Sequence, residues 1–260
     1  MSVEFNNRTI DSYMYKGRKC LYLRGLGVER LDEINGLEEL TDLDSLNLSF
    51  NKFTEVRGLE LFAHLTNLNL RGNQIKEITA IHGLSMLNDL NTLDLSQNRI
   101  LEITGLEALT HLKELDLSKN HLKRISGLEQ NSHLELLDLS NNRIRYIENL
   151  EFLTKLKNLN LAHNHIYQIS GLARLINLEV LDLEDNKLME LKGINRLWKL
   201  RSFNLLKNDG LAEVRKILGE RDEDGYAPIG FTPLHYVRYC NLRDLLKSGN
   251  SIEEFLADLF

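Results

Sequence analysis

Asparagine recurs along this chain with a fixed beat: Asn51, Asn73, Asn98, Asn120, Asn142, Asn164, Asn186 and Asn208 are 22 residues apart, except for one interval of 25 between Asn73 and Asn98. Each closes the same frame: Leu, two variable residues, Leu or Phe, one variable, Leu, two variable, Asn. The clearest copies are LKELDLSKNHL (112–122), LELLDLSNNRI (134–144) and LKNLNLAHNHI (156–166). A period in this range means stacked supersecondary units, because one unit is too small to bury its own leucines. The 25-residue spacing is a repeat variant, since LDEINGLEELTDL (31–43) and ITAIHGLSMLNDL (78–90) share one apolar pattern. In the first unit Leu26 takes the Asn place, as expected of an end repeat with a single neighbour.

Each column has a physical reason. The L-x-L triplet is a short strand with its leucines inward and its middle and flanking residues toward solvent. The Asn side chain bonds nearby backbone groups, so a stacked Asn column is expected to satisfy successive turns. Later apolar residues such as Ile144 and Ile147 return to the same core. Then comes Gly36, Gly58, Gly83, Gly105, Gly127, Asn149, Gly171 and Gly193, a column of types that tolerate positive φ. The 55 leucines therefore specify a stack, while the hydrophobic share of 42% and the charged share of 27% remain those of an ordinary globular protein.

These residues carry a resemblance. Residues 21–209 resemble the leucine-rich repeat family, and the 22-residue unit with Gly-Leu after the turn is similar to the class that includes the protein phosphatase 1 regulatory subunit, internalins, a dynein light chain and a spliceosomal protein. The resemblance implies an α/β fold class: a curved solenoid with a parallel sheet on its concave side and short helical or 3₁₀ turns on its convex side. Nine strands would span roughly 40 Å. A solenoid exposes its core at both ends, so residues 1–20 are expected to cap one end and residues 210–260 to form a helical cap on the other. In the latter, 211–219 reads as a helix, 221–230 as a loop, and Thr232-Pro233 as the start of a second helix. Ser251 and Glu254 have capping-box spacing. The fragment TPLH (232–235) matches an ankyrin signature, but a single copy has nothing to stack on.

Enzyme motifs are absent from the sequence, and neither a cofactor nor a metal is expected: there is no phosphate loop, no dinucleotide glycine pattern and no Cys pair at zinc spacing. His163 and His165 stand two repeats from His121, about 10 Å by strand spacing and too far for one ion. No apolar run reaches the ~20 residues of a membrane span, and residues 1–20 lack the apolar stretch of a secretory signal. With only Cys20 and Cys240, a cytoplasmic location is expected.

Binding is then assigned to the outward side chains of the concave face, first two charged columns that resemble family consensus and above all the residues that interrupt it. One outward column reads Asn47, Asn69, Asp94, Asp116, Asp138, Asn160, Asp182, Asn204, an acidic middle. The column past the Asn reads Lys52, Gln74, Arg99, His121, Arg143, His165, Lys187, Asp209, a mostly basic rim. Leu136 and Val180 replace polar residues in the other outward column. Phe50, Ala162 with His163, and Leu206 are further exceptions. Apolar anchors framed by charge mark a protein interface. The expected function is a nonenzymatic scaffold or regulatory subunit, a monomer that holds a folded protein. The resemblance brings a phosphatase catalytic subunit as one partner; Phe50 is the only aromatic the pattern places at the concave edge, so a small GTPase or a cytoskeletal protein is equally open. The alternative is a ribonucleoprotein component contacting RNA through the basic rim, opposed by the net charge of −6 and by a lack of interleaved aromatics.

Overall fold

The computed structural model describes residues 2–211 together with Val237 and Cys240. The chain opens with two antiparallel hairpins. Strand β1 (Ser2–Phe5) pairs with β2 (Arg8–Asp11), and β3 (Tyr13–Tyr15) pairs with β4 (Arg18–Tyr22). Both turns are two residues long, Asn6-Asn7 and Lys16-Gly17, and all four residues have positive φ. That conformation matches the right-handed twist of the flanking strands. Val3 and Phe5 are buried in the common core, and Glu4 and Asn35 exchange two backbone hydrogen bonds of 2.9 Å, so the first hairpin is tied to the first repeat.

From β4 onward each L-x-L triplet gives its first apolar and its middle residue to one strand: β5 (Ser45–Asn47), β6 (Asn67–Asn69), β7 (Thr92–Asp94), β8 (Glu114–Asp116), β9 (Leu136–Asp138), β10 (Asn158–Asn160), β11 (Val180–Asp182) and β12 (Ser202–Asn204). Together they form one parallel sheet in sequence order from β4 to β12, with β3 added antiparallel at its edge. The register never slips, so Leu21, Leu46, Leu68, Leu93, Leu115, Leu137, Leu159, Leu181 and Phe203 face one another in a row. A one-residue slip would turn this whole row to solvent. With about 1.5–3 kcal/mol per buried Leu, the row alone enforces the stacking.

The Asn column does more than fill a turn. Asn142 Nδ2 donates to Leu139 O of its own repeat (3.0 Å) and to Leu117 O of the preceding one (3.0 Å), while its Oδ1 accepts from Leu122 N (3.0 Å). Asn164 repeats this with Leu161 O, Leu139 O and Ile144 N. Each interior carbonyl therefore receives amides from two consecutive repeats. The Gly column has positive φ throughout, and Asn149 joins it at φ 60 with Nδ2 donating to Ile125 O at 2.7 Å.

The convex turns contain 3₁₀ helices at Leu37–Glu39, Leu59–Leu61 and Leu84–Met86. The two longer units each insert one more, at Leu31–Glu33 and Ile78–Ala80, so the three additional residues form one tight turn. Asn131 stands in the buried convex column occupied elsewhere by Leu109 and Leu153. Its Nδ2 donates to Leu106 O (3.0 Å) and Leu109 O (2.9 Å), and its Oδ1 has no partner. At the far end Val237 and Cys240 are helical and buried, with Cys240 Sγ 3.4 Å from Leu191 O. The other features expected of 210–260 lie outside the described residues, save that Leu211 closes a 3₁₀ turn from Asp209 and is buried.

Candidate protein-interaction surface

Two solvent columns run across the concave sheet. In the first, Leu136 lies between Glu114 and Asn158, and Val180 between Asn158 and Ser202. Leu136 is 36% exposed and Val180 half-buried, two strand spacings or about 10 Å apart, so they are separate apolar points and not one patch.

The second column places Asp94, Asp116 and Asp138 on adjacent strands. One oxygen of each is spent locally: Oδ1 accepts the backbone N–H two residues on, from Ser96 (2.9 Å), Ser118 (2.8 Å) and Ser140 (2.8 Å). Asn47, Asn69, Asn160 and Asn204 make the same turn bond with their amide oxygens. The turn thus needs an oxygen and not a charge. Asp138 and Asp182 also receive neighbouring amides from Asn160 and Asn204, at 3.0 and 3.4 Å. Burial, followed by the flanking charges of Asp94 and Asp138, raises the Asp116 carboxyl above its ordinary value.

Beyond the strands the chain turns inward, which corrects one expectation. Ala162 is only 5% exposed, because it falls in the column of buried Ser96, Ser118 and Ser140, under the turn and not on its surface. Leu206, in the same column, is half-buried. The next residue in every unit is left-handed: Phe50, Gly72, Gln97, Lys119, Asn141, His163, Asp185 and Lys207 all have positive φ. His163 Nδ1 is 2.9 Å from Asp185 Oδ2 in the neighbouring repeat. Arg99 and Arg143 are exposed on the rim, and His165 is half-buried. Arg143 and His165 line a groove with Lys123, Arg145 and exposed Tyr146. Among the described residues no group of three or more His, Cys, Asp or Glu could hold a metal ion.

Sequence reasoning missed the aromatic content of this face. Tyr22 pairs in register with Asn47, so it points outward and is 50% exposed, and the Tyr13 ring packs 5.4 Å from it. Tyr15, opposite Arg18, is exposed on the same side. The Tyr22 signal was present in the L-x-L frame of 21–23. Phe50 is therefore one of several aromatics at the β3–β6 end.

With the geometry in hand, the relatives fit. A model of the family "Leucine Rich repeats (2 copies)" matches residues 89–130, 110–152 and 132–174. Internalin C2 from Listeria monocytogenes is 31% identical over 72% of this chain and 80% of its own, with a TM-score of 0.65. A leucine-rich repeat protein of Leptospira interrogans is 31% identical over 66% of this chain and 50% of its own, with a TM-score of 0.53. TLR13, solved in complex with the RNA ssRNA13, is 28% identical over 65% of this chain and 26% of its own, with a TM-score of 0.60. No curated protein matches. The chain belongs to the leucine-rich repeat family, whose solenoid is in general a protein-binding scaffold. No helix among the described residues is long and apolar enough to cross a membrane.

Proposed function

We propose that this protein is a nonenzymatic, monomeric interaction module that holds a folded protein against its concave sheet. The observation that carries the reading is the Asp94, Asp116, Asp138 run. Asn performs the same turn bond in the same column, so the turn does not require the three adjacent charges, which repel one another. Such a cost is typical of residues kept for a partner. Leu136 and Val180, Asp182, and the rim residues Arg99, Arg143, His163 and His165 extend the surface toward β12, giving apolar points framed by charge. A phosphatase catalytic subunit, a small GTPase and a cytoskeletal protein are the partner classes in view, and a regulatory role goes with the first. A count of only two cysteines, Cys20 and Cys240, supports a cytoplasmic setting.

Affinity capture from native lysate, with Leu136→Glu plus Val180→Glu beside wild type, tests the reading. The double variant is expected to lose the main captured protein with an almost unchanged melting temperature, and full retention refutes concave-face binding. The groove of Lys123, Arg143, Arg145, His165 and Tyr146, whose one carboxylate, Glu148, is paired with Arg124, favours a second reading, RNA contact at the rim, in keeping with the RNA complex of TLR13. Direct oligouridine binding separates the two: RNA contact at the rim weakens steeply with salt and survives Leu136→Glu plus Val180→Glu, whereas capture of a folded protein is lost with that double variant.

A further inference from the structure

Three consecutive repeats depart together from the pattern at the turn after the strand. Where the next three units have a buried Ser and a polar left-handed residue, Ser96-Gln97, Ser118-Lys119 and Ser140-Asn141, these read Arg24-Gly25, Ser49-Phe50 and Arg71-Gly72. The Phe50 ring, 38% exposed, lies between the flanking repeats. The Arg24 guanidinium is 4.7 Å from its centroid and that of Arg71 5.7 Å. Gly72 provides the floor: a Cβ there would meet Phe50 Cδ1 at 2.7 Å, so the ring occupies space that a side chain would otherwise fill. Neither guanidinium has a carboxylate within ion-pair distance among the described residues. Arg71 bonds the neutral side-chain oxygen of Gln97 at 2.7 Å once that amide is oriented to satisfy both groups. On the same face Arg18 Nη1 donates to neutral Asn67 Oδ1, at 3.1 Å.

Stacked, uncompensated guanidinium groups present planar donor forks to oxyanions, and a phenyl ring between them restricts their orientation. We infer that Arg24, Phe50 and Arg71 form a clamp for a carboxylate-bearing segment of the protein partner. This inference rests on the concave-face reading and sets the partner's chemistry and orientation. A protein segment is favoured over a nucleic acid because the face reverses sign within a few strands. From β7 to β9 it carries Asp94, Asp116 and Asp138, which repel a phosphate chain leaving the clamp. The centres of the two halves, at β5 and β8, are three strand spacings or about 14 Å apart. A matching partner has an acidic patch and, about that distance away, a basic one.

Fluorescence anisotropy of the full chain with three labelled 12-residue probes tests this: a Glu–Leu peptide, a Lys–Leu peptide and an oligouridine. The expected results are that the Glu–Leu peptide binds, that Arg24→Gln plus Arg71→Gln weakens it at least tenfold, and that Phe50→Ala weakens it measurably. The Lys–Leu peptide should be unaffected by those variants and weakened by Asp116→Asn plus Asp138→Asn. The altered side chains lie at the surface, so far-UV circular dichroism should not change. Failure of the Glu–Leu peptide alone, or its insensitivity to the double Arg variant, overturns the clamp and leaves concave-face binding standing. Failure of both peptides overturns the two together. Oligouridine binding tighter than the Glu–Leu peptide and lost with the Arg pair overturns the choice of a protein segment.

Discussion

Removing two neighbouring Asn side chains should cost more than the sum of removing each alone. In Asn142→Ala the buried N–H of Leu122 loses its acceptor, whereas Leu117 O and Leu139 O each keep an amide, from Asn120 and Asn164 respectively. One orphaned group costs about 1–3 kcal/mol. Asn164→Ala similarly orphans Ile144 N, while Leu139 O keeps Asn142. In the double variant Leu139 O loses both donors, which adds about 1–3 kcal/mol that neither single change contains. Asn120 and Asn164 are the control pair. Asn120 serves Leu95 O and Leu117 O, Asn164 serves Leu139 O and Leu161 O, and no carbonyl is common to both. That pair should be additive within about 0.5 kcal/mol. Urea unfolding followed by circular dichroism measures both cycles, with a constant m value as the check that the unfolded state is unchanged. A coupling below about 0.5 kcal/mol in the adjacent pair, or an equal coupling in the control, would refute the account of carbonyls shared between repeats.

Asp116→Asn should raise stability at neutral pH by up to about 1 kcal/mol, since it keeps the turn acceptor and removes two like-charge contacts. Because folding raises this carboxyl's pKa, its destabilising effect is full above the raised pKa and fades as pH falls through it, so the variant's advantage in melting temperature should shrink in acid; a constant advantage contradicts the assignment. Gly127→Ala should destabilise by about 1–3 kcal/mol through its left-handed backbone, and by more through a Cβ placed 2.1 Å from Ile103 O. Gly127→Asn should cost less in the same denaturation assay, because Asn149 holds the equivalent place with a hydrogen bond to Ile125 O.

The repeat was legible because it is a periodic demand on side-chain type. Leucine alternation gives the strands, the Asn column gives the shared carbonyls, and the Gly column foretold positive φ even where Asn149 stands. The three additional residues of the long units were legible as a variant, and the 3₁₀ turns at Leu31–Glu33 and Ile78–Ala80 explain them. What was hidden lies where the period stops. The turns Asn6-Asn7 and Lys16-Gly17 precede the first repeat, so the hairpin that carries Tyr13 and Tyr15 to the sheet had no column to be read against. Ala162 was misplaced by extending strand alternation past Asn160, where the strand ends, to a position two residues beyond it. The second left-handed column hid behind Phe50, Gln97, Lys119, His163 and Lys207, since only Gly25, Gly72, Asn141 and Asp185 mark it by type. Arg24 and Arg71 were passed over for the same reason: their meaning depends on Phe50 from the unit between them.

Carbonyls shared by consecutive repeats also make the chain editable in whole units. Excising residues 121–142 would leave Asn120 followed by the segment that now follows Asn142, and Asn164 would find in Leu117 O the acceptor it now finds in Leu139 O. The backbone connections close again, while the recognition face shortens by one strand and Asp116 comes to lie beside Asn160. Gene duplication or loss at this period can therefore change the spacing between the arginine end and the acidic middle in steps of about 4.8 Å without inventing a new core.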